Sequence, residues 1–199
     1  MAIAITNVQK PLRKLRKSFK NLPKDPSADD VHTLRTQTRK VEAIVAALTP
    51  DQANKARRLL KAVTPVRKAA GDVRDMDVLV SNSLTLSDRR EDNSLVRLVE
   101  HLGGMRIDSA RKLVDTVAQQ RKSARRTLKQ YSKMVENRLG AKKGGGRPGR
   151  TTGGAPVDAV AVALSLSAEL NRWPKLNAQN IHPFRLKVKE LRYILQLDV

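Results

Sequence analysis

Apolar residues recur at three- and four-residue spacing along most of this chain, the period of helices packed on one face. A first helix is predicted to follow Pro11, with Leu12, Leu15, Phe19 and Leu22 on one stripe and Pro23 and Pro26 closing it. Ser27, Asp29 and Asp30 are N-cap candidates for a helix over 31–48. Its stripe is Val31, Leu34, Val41, Val45 and Leu48, with Thr38 filling a gap in it. Pro50 and Asp51 are expected to open the next helix and Pro65 to interrupt or kink it. Gly71 and Asp72 should mark a turn before a helix over 73–84, and the polar stretch 86–93 reads as a connection. From 94 to 139 the pattern is helical, with Gly103 and Gly104 as the expected break between a short helix and a long basic one.

The composition then changes. GAKKGGGRPGRTTGGAP, 140–156, contains no large apolar residue and predicts a flexible basic linker. Beyond it a helix over 157–172, an Asn-rich turn after Pro174 and a last helix from about Asn180 are expected. The organisation predicted is a first helical half at 1–139, the linker at 140–156 and a second helical half at 157–199, together one domain. Aromatics are only 3% and no segment alternates with period two, so the class is all-α.

Two helix openings on either side of the linker resemble each other: VHTLRTQTRKVEAIVAAL from Val31 and IHPFRLKVKELRYILQL from Ile181. At a constant offset of 150, His32 matches His182, Arg35 matches Arg185 and Arg39 matches Lys189. The apolar positions match as well, Leu34 with Phe184, Val41 with Leu191 and Ile44 with Ile194. Such a repeat predicts two halves of similar packing related by a pseudo-twofold axis. Positions i, i+3 and i+7 fall within about 60° on a helix, so His32, Arg35 and Arg39 project together along roughly 10 Å of axis. His182, Arg185, Lys189 and Arg192 do the same. Both rows border the apolar stripe instead of opposing it, where unpaired cations are costly and need either carboxylates or an anionic ligand. A single such cation is accounted for by snorkelling or a local ion pair; matching triads in two helices are less readily so.

Charge narrows the partners. Forty Lys and Arg against nineteen Asp and Glu give a formal net charge of +21. That excess suits nucleic acid, an anionic membrane surface or a soluble polyanion. No cysteine is present, which excludes disulfides and thiolate metal sites. The N-terminal MAIAITNVQK lacks a basic n-region and the longest apolar run, 159–166, is far below the ~20 residues that span a bilayer. A cytoplasmic protein without a membrane role is expected.

The motifs VHTLRTQTRKVEA at 31–43, GDVRDMDVL at 71–79 and IHPFRLKVKELRYIL at 181–195 resemble, in order and spacing, the CHAD family, the conserved histidine alpha-helical domain. The resemblance implies two antiparallel helical bundles with internal pseudosymmetry, and binding of inorganic polyphosphate by basic residues lining a central surface. Carried onto this chain, the binders implied are His32, Arg35, Arg39, Lys40, His182, Arg185, Lys189 and Arg192. Arg16, Lys20, Arg74, Arg125 and Lys129 are further candidate phosphate contacts. The family pattern usually continues beyond the second histidine motif, so either an abbreviated second bundle or a chain that is a piece of a longer one is expected here. Glu42 stands where Arg192 stands in the other motif, so the halves should contribute unequally. The resemblance implies no cofactor and a place at cytoplasmic polyphosphate granules.

Other signals are weaker. Asp72, Asp75 and Asp77 match no metal loop, and capping or pairing with Arg74 is the simpler reading. GGGRPGRT at 144–151 nearly matches a phosphate-binding loop but lacks the preceding strand and following helix. The basic residues of that stretch read as auxiliary or solvated cations, as do most of those ringing the long helix at 111–133.

Three functions compete. A binder of a linear polyphosphate needs cations in a row and nothing to read bases, and its affinity should rise with chain length and fall steeply with salt. Non-specific nucleic-acid binding in vitro follows from charge alone, but five aromatics form no stacking platform and no recognition helix stands out. Phosphoryl transfer through His32 or His182 would need a paired acid, base or metal, and no carboxylate recurs in both motifs; His101 lies outside both. Catalysis is therefore not expected. Imidazoles that gain a proton beside phosphate should make binding tighten as pH falls through the histidine range.

Overall fold

A computed structural model describes residues 5–49, 54–87, 93–140 and 159–196, with the side chains of 86–87, 138–140 and 159 left out of account. These residues form six helices: α1 Ile5–Asn21, α2 Ala28–Leu48, α3 Asn54–Ser87, α4 Asn93–Gly140, α5 Ala159–Asn171 and α6 Ile181–Leu195. Among them no strand occurs. The first four close a ring in which α1 packs on α2 and α4, α2 on α3, and α3 most extensively on α4. Cross-helix bonds show the up-down-up-down course. Gln9 near the start of α1 reaches Ser132 late in α4, whereas Pro26, beyond the end of α1, meets Arg106 early in α4.

The α5–α6 hairpin docks on α2 alone among the bundle helices. Inside the bundle, Leu12, Leu15, Phe19, Val31, Leu34, Val41, Leu59, Val66, Leu113, Leu128 and Tyr131 are fully or almost fully buried. Ala163, Leu166 and Ile194 extend this core into the hairpin. Burial of this kind, about 25 cal/mol per Å² of apolar surface, is what makes helices of mixed propensity stable.

The start of α2 follows its local chemistry. Ser27 accepts from the Asp30 amide at 3.1 Å and the Asp30 carboxylate accepts from the Ser27 amide at 3.0 Å, a reciprocal cap that sets the phase of the whole helix. Its predicted stripe is buried, Thr38 included, whose hydroxyl donates to the Arg35 carbonyl at 2.8 Å. The other end of α2 is tied to α4 by the buried hydroxyls of Thr49 and Tyr131, 2.8 Å apart. Before α6 the Asn-rich turn satisfies itself: the Asn177 side-chain oxygen accepts from the Gln179 and Asn180 amides. Trp173 and Phe184 meet edge to face at 5.7 Å and join the hairpin's two arms.

Three expected punctuation marks do not punctuate, and Pro65 does not interrupt its helix. Pro11 lies inside α1, which begins at Ile5, and Pro65 lies inside α3. Gly71 and Asp72 fall mid-helix, so no turn precedes 73–84, and Gly103 and Gly104 lie within the single 48-residue helix α4. In each case tertiary packing outweighs local preference. Gly costs a helix about 1 kcal/mol relative to Ala. Ala70 and Val73 flanking Gly71, and Leu102 beside Gly103, are buried in helix contacts that offset this. The expected linker lies outside the described residues apart from Gly140, the last residue of α4, and so do GGGRPGRT and its cations.

Candidate polyanion-binding surface

The two helices carrying the matched motifs pack against each other. α2 presents its cations beside a buried stripe and α6 beside the half-buried Phe184 and Leu191 and the buried Ile194, so docking α6 on α2 brings Arg35, Arg39, Arg185, Lys189 and Arg192 to one place. The field at Lys189 records this. Burial, then Arg39, Arg185, Arg35 and Arg192 in that order, push its ammonium below the usual lysine range. Two of those four arginines belong to α2 and two to α6. Arg35 is likewise pushed below the usual arginine range, by burial first and then by Arg39, with Arg67 adding to it; Asp75 and Tyr193 act in the opposite sense. Arg35, Arg39, Arg185, Lys189 and Arg192 therefore form a single cationic cluster.

Carboxylates do not fill it. Among the described residues the ion pairs are Arg67–Glu42, Arg106–Asp77, Arg111–Asp108 and Lys187 with Glu169 and Glu190, and none includes one of the eight predicted binders. Lys187 is instructive, because it lies two residues from Lys189 and so on the other side of α6. It has two carboxylates, at 3.1 and 3.8 Å, while Lys189 has four arginines. The acidic residues of the hairpin serve its far side.

The near side is scaffolded by α3. Arg67, Gly71 and Asp75 are spaced by four residues and share one face of that helix, toward α2. Glu42 accepts from Arg67, with an ion pair of 2.8 Å, and from the Thr64 hydroxyl at 2.9 Å. Arg35 lies directly over Gly71, its Nε 3.7 Å from where a Cβ would stand. A methyl group there would touch the guanidinium at ordinary van der Waals distance, and Asp75 supplies a partly compensating charge. Glu42, occupying the position matched to Arg192, thus serves α2–α3 packing, and α2 has no cation at that position.

Each predicted contact can be placed. Arg35, Arg39, Lys40 and Lys189 are half-buried, and His32, His182, Arg185 and Arg192 are exposed. The Arg192 guanidinium rests 5.2 Å from the Tyr193 ring centre. Lys40 lines a trough of about 390 Å³ with Lys10 and Lys14 of α1 and Tyr193 and Gln196 from the end of the hairpin. Arg74 is half-buried on α3, and among the described residues it forms no ion pair with Asp72, Asp75 or Asp77. The pairing expected there is replaced by Asp77 with Arg106 of α4 at 2.9 Å, and capping is ruled out because all three aspartates lie mid-helix. Arg16, Lys20, Arg125 and Lys129 line a different trough, between α1 and α4.

Lys10 and Lys14 had no place in the sequence-based set. Pro11 reads most naturally as a helix opening, which removes Lys10 from any helix face; the Lys10–Lys14 spacing of four is the signal that a helix continuing through Pro11 would have shown. Among the described residues no cluster of His, Asp and Glu could hold a metal, and no helix is long and apolar enough to cross a membrane.

The family model described as the CHAD domain matches residues 7–197, nearly the whole chain. No curated protein and no solved structure matches it.

Proposed function

Since the chain belongs to the CHAD domain family, we propose that it binds inorganic polyphosphate, without catalysis, through the combined cation rows of α2 and α6. One observation carries this reading: five cations from two helices share one field and, among the described residues, have no carboxylate at ion-pair distance. Such a cluster raises the local concentration of anions and is relieved by them. Arg guanidinium forks suit phosphate oxygens bidentately, and lysine adds a mobile point charge. The matching positions of the motifs support a pseudo-twofold repeat, in which each half offers a linear chain the same row of donors. The reading is non-catalytic because no carboxylate recurs at matching positions of the two motifs to serve the histidines as an acid–base partner. On this reading the protein acts in the cytoplasm, at polyphosphate granules.

Nucleic acid is the competing ligand. Trp173 and Phe184 are used in packing the hairpin, which removes two of the five aromatics from any base-stacking role. Titration of polyphosphate into the protein and into an Arg39→Gln/Lys189→Gln variant tests the proposal. The expected result is affinity that falls with salt, with a slope shallower by about two in the variant. Equal affinity of the two proteins, or displacement of polyphosphate by duplex DNA at equal phosphate concentration, overturns it.

A further inference from the structure

A second one-signed trough lies between α1 and α4, outside the α2–α6 cluster. It encloses about 800 Å³ and is lined by nine Lys and Arg side chains and Ala118, with no carboxylate. Arg121, Arg125 and Lys129 recur every four residues along α4, and Arg13, Arg16 and Lys20 face them from α1. Like charges at that spacing disfavour a helix slightly, and the chain has nineteen acidic residues that could have interrupted the series. None of the nine takes part in an ion pair among the described residues. Beneath them α1 and α4 are fixed to each other by Leu12, Leu15, Phe19, Ala124 and Leu128 in the core and by Gln9 with Ser132, so both walls are rigid.

Lysines of α1 lead from this trough to the one that Lys40 lines. Lys10 and Lys14 of α1 border the trough beside Lys40, while Lys17 belongs to the α1–α4 trough. On a helix Lys10, Lys14 and Lys17 fall within about 60° of each other, and all three are exposed. The outer face of α1 is therefore an unbroken cationic ridge joining the two troughs, about 15 Å from Lys10 to Lys20.

We propose that the α1–α4 trough is a second subsite for polyphosphate, and that a long chain crosses α1 to occupy it together with the α2–α6 cluster. This rests on the proposed function. Its consequence is selection by length: a short oligophosphate fills either site separately, whereas a long one fills both, the second at high effective concentration.

An Arg121→Gln/Arg125→Gln/Lys129→Gln variant tests it, the three positions being exposed and away from the core. Thermal melting and helical content, compared with the parent chain, establish that it folds. Calorimetry with tripolyphosphate should then give two molecules bound to the parent chain and one to the variant. Long-chain polyphosphate should bind the variant at least about tenfold more weakly, consistent with the loss of a tethered second contact. Unchanged stoichiometry and unchanged long-chain affinity overturn the subsite. Duplex DNA displacing long-chain polyphosphate from the parent chain but not from the variant, at equal phosphate concentration, overturns the ligand assigned to it. The Arg39→Gln/Lys189→Gln variant separates the two failures: if it alone keeps parental tripolyphosphate binding, the α2–α6 assignment falls while the trough stands.

Discussion

The charge acting most strongly on Lys189 of α6 is that of Arg39 of α2, its counterpart at the matching position of the other motif. These two corresponding residues thus share one field across the α2–α6 contact. Folding holds two like charges together, and an anion placed there gains what the cations lose.

Replacing Lys189 by Met should therefore stabilise the free protein and weaken its ligand binding. The methionine keeps most of the apolar stem and removes one cation from a crowded field. The melting temperature should rise, by about 2–4 °C per kcal/mol of repulsion relieved. Polyphosphate affinity should drop about tenfold, with a salt slope lower by about one. Melting and titration of the same preparation check both; a fall in melting temperature would mean that Lys189 is compensated within the fold.

Alkaline pH should act through the same residue. Lys189 in the free protein loses its proton at lower pH than an ordinary lysine, because of burial and four arginines, and bound phosphate raises it again. Affinity is full below the free-protein value and declines as pH climbs through it. Stability of the free chain runs the other way. It increases with pH between the folded and unfolded lysine values, where the unfolded chain holds the proton the folded one has lost. Lys189→Arg, whose guanidinium stays charged, should flatten the decline in affinity measured across mildly alkaline buffers.

Glu42→Gln should trade stability for binding. The Glu42 carboxylate serves Arg67 and Thr64 at a site less than a third exposed. Its loss should cost about 1–3 kcal/mol in urea denaturation and leave Arg67 as one more free cation beside Arg35. Tighter polyphosphate binding by the less stable variant is the expected outcome.

Arg106 is a purely structural counterpart. It donates to Asp77 at 2.9 Å and to the Pro26 carbonyl at 2.8 Å, joining α3, α4 and the loop before α2. The Asp77 side chain is only 5% exposed and its second oxygen has no hydrogen-bond partner. Arg106→Met should cost about 3–5 kcal/mol by stranding that carboxylate. Much of the loss should return in Arg106→Met/Asp77→Leu, as read from denaturation midpoints.

Periodicity and capping were enough to determine, from the residue order alone, that the chain is helical, that α2 starts close to Ser27, Asp29 and Asp30, and that Val31, Leu34, Thr38, Val41, Val45 and Leu48 form its buried stripe. The duplicated motif also set His32, Arg35 and Arg39, and His182, Arg185, Lys189 and Arg192, in rows, since i, i+3 and i+7 spacing is a local property of any helix. Pro11, Pro65, Gly71 and the Gly103–Gly104 pair were misleading because their effect is a local cost of a few kcal/mol at most, and long helix–helix contacts exceed it. Only the tertiary structure decided where the cations went. That α6 lies on α2, that Arg35 lies over Gly71 of α3, and that α1 and α4 line a second basic trough all depend on contacts between residues far apart in the chain. A helix's own period cannot encode its neighbour; the packed core determines which charged edges face each other.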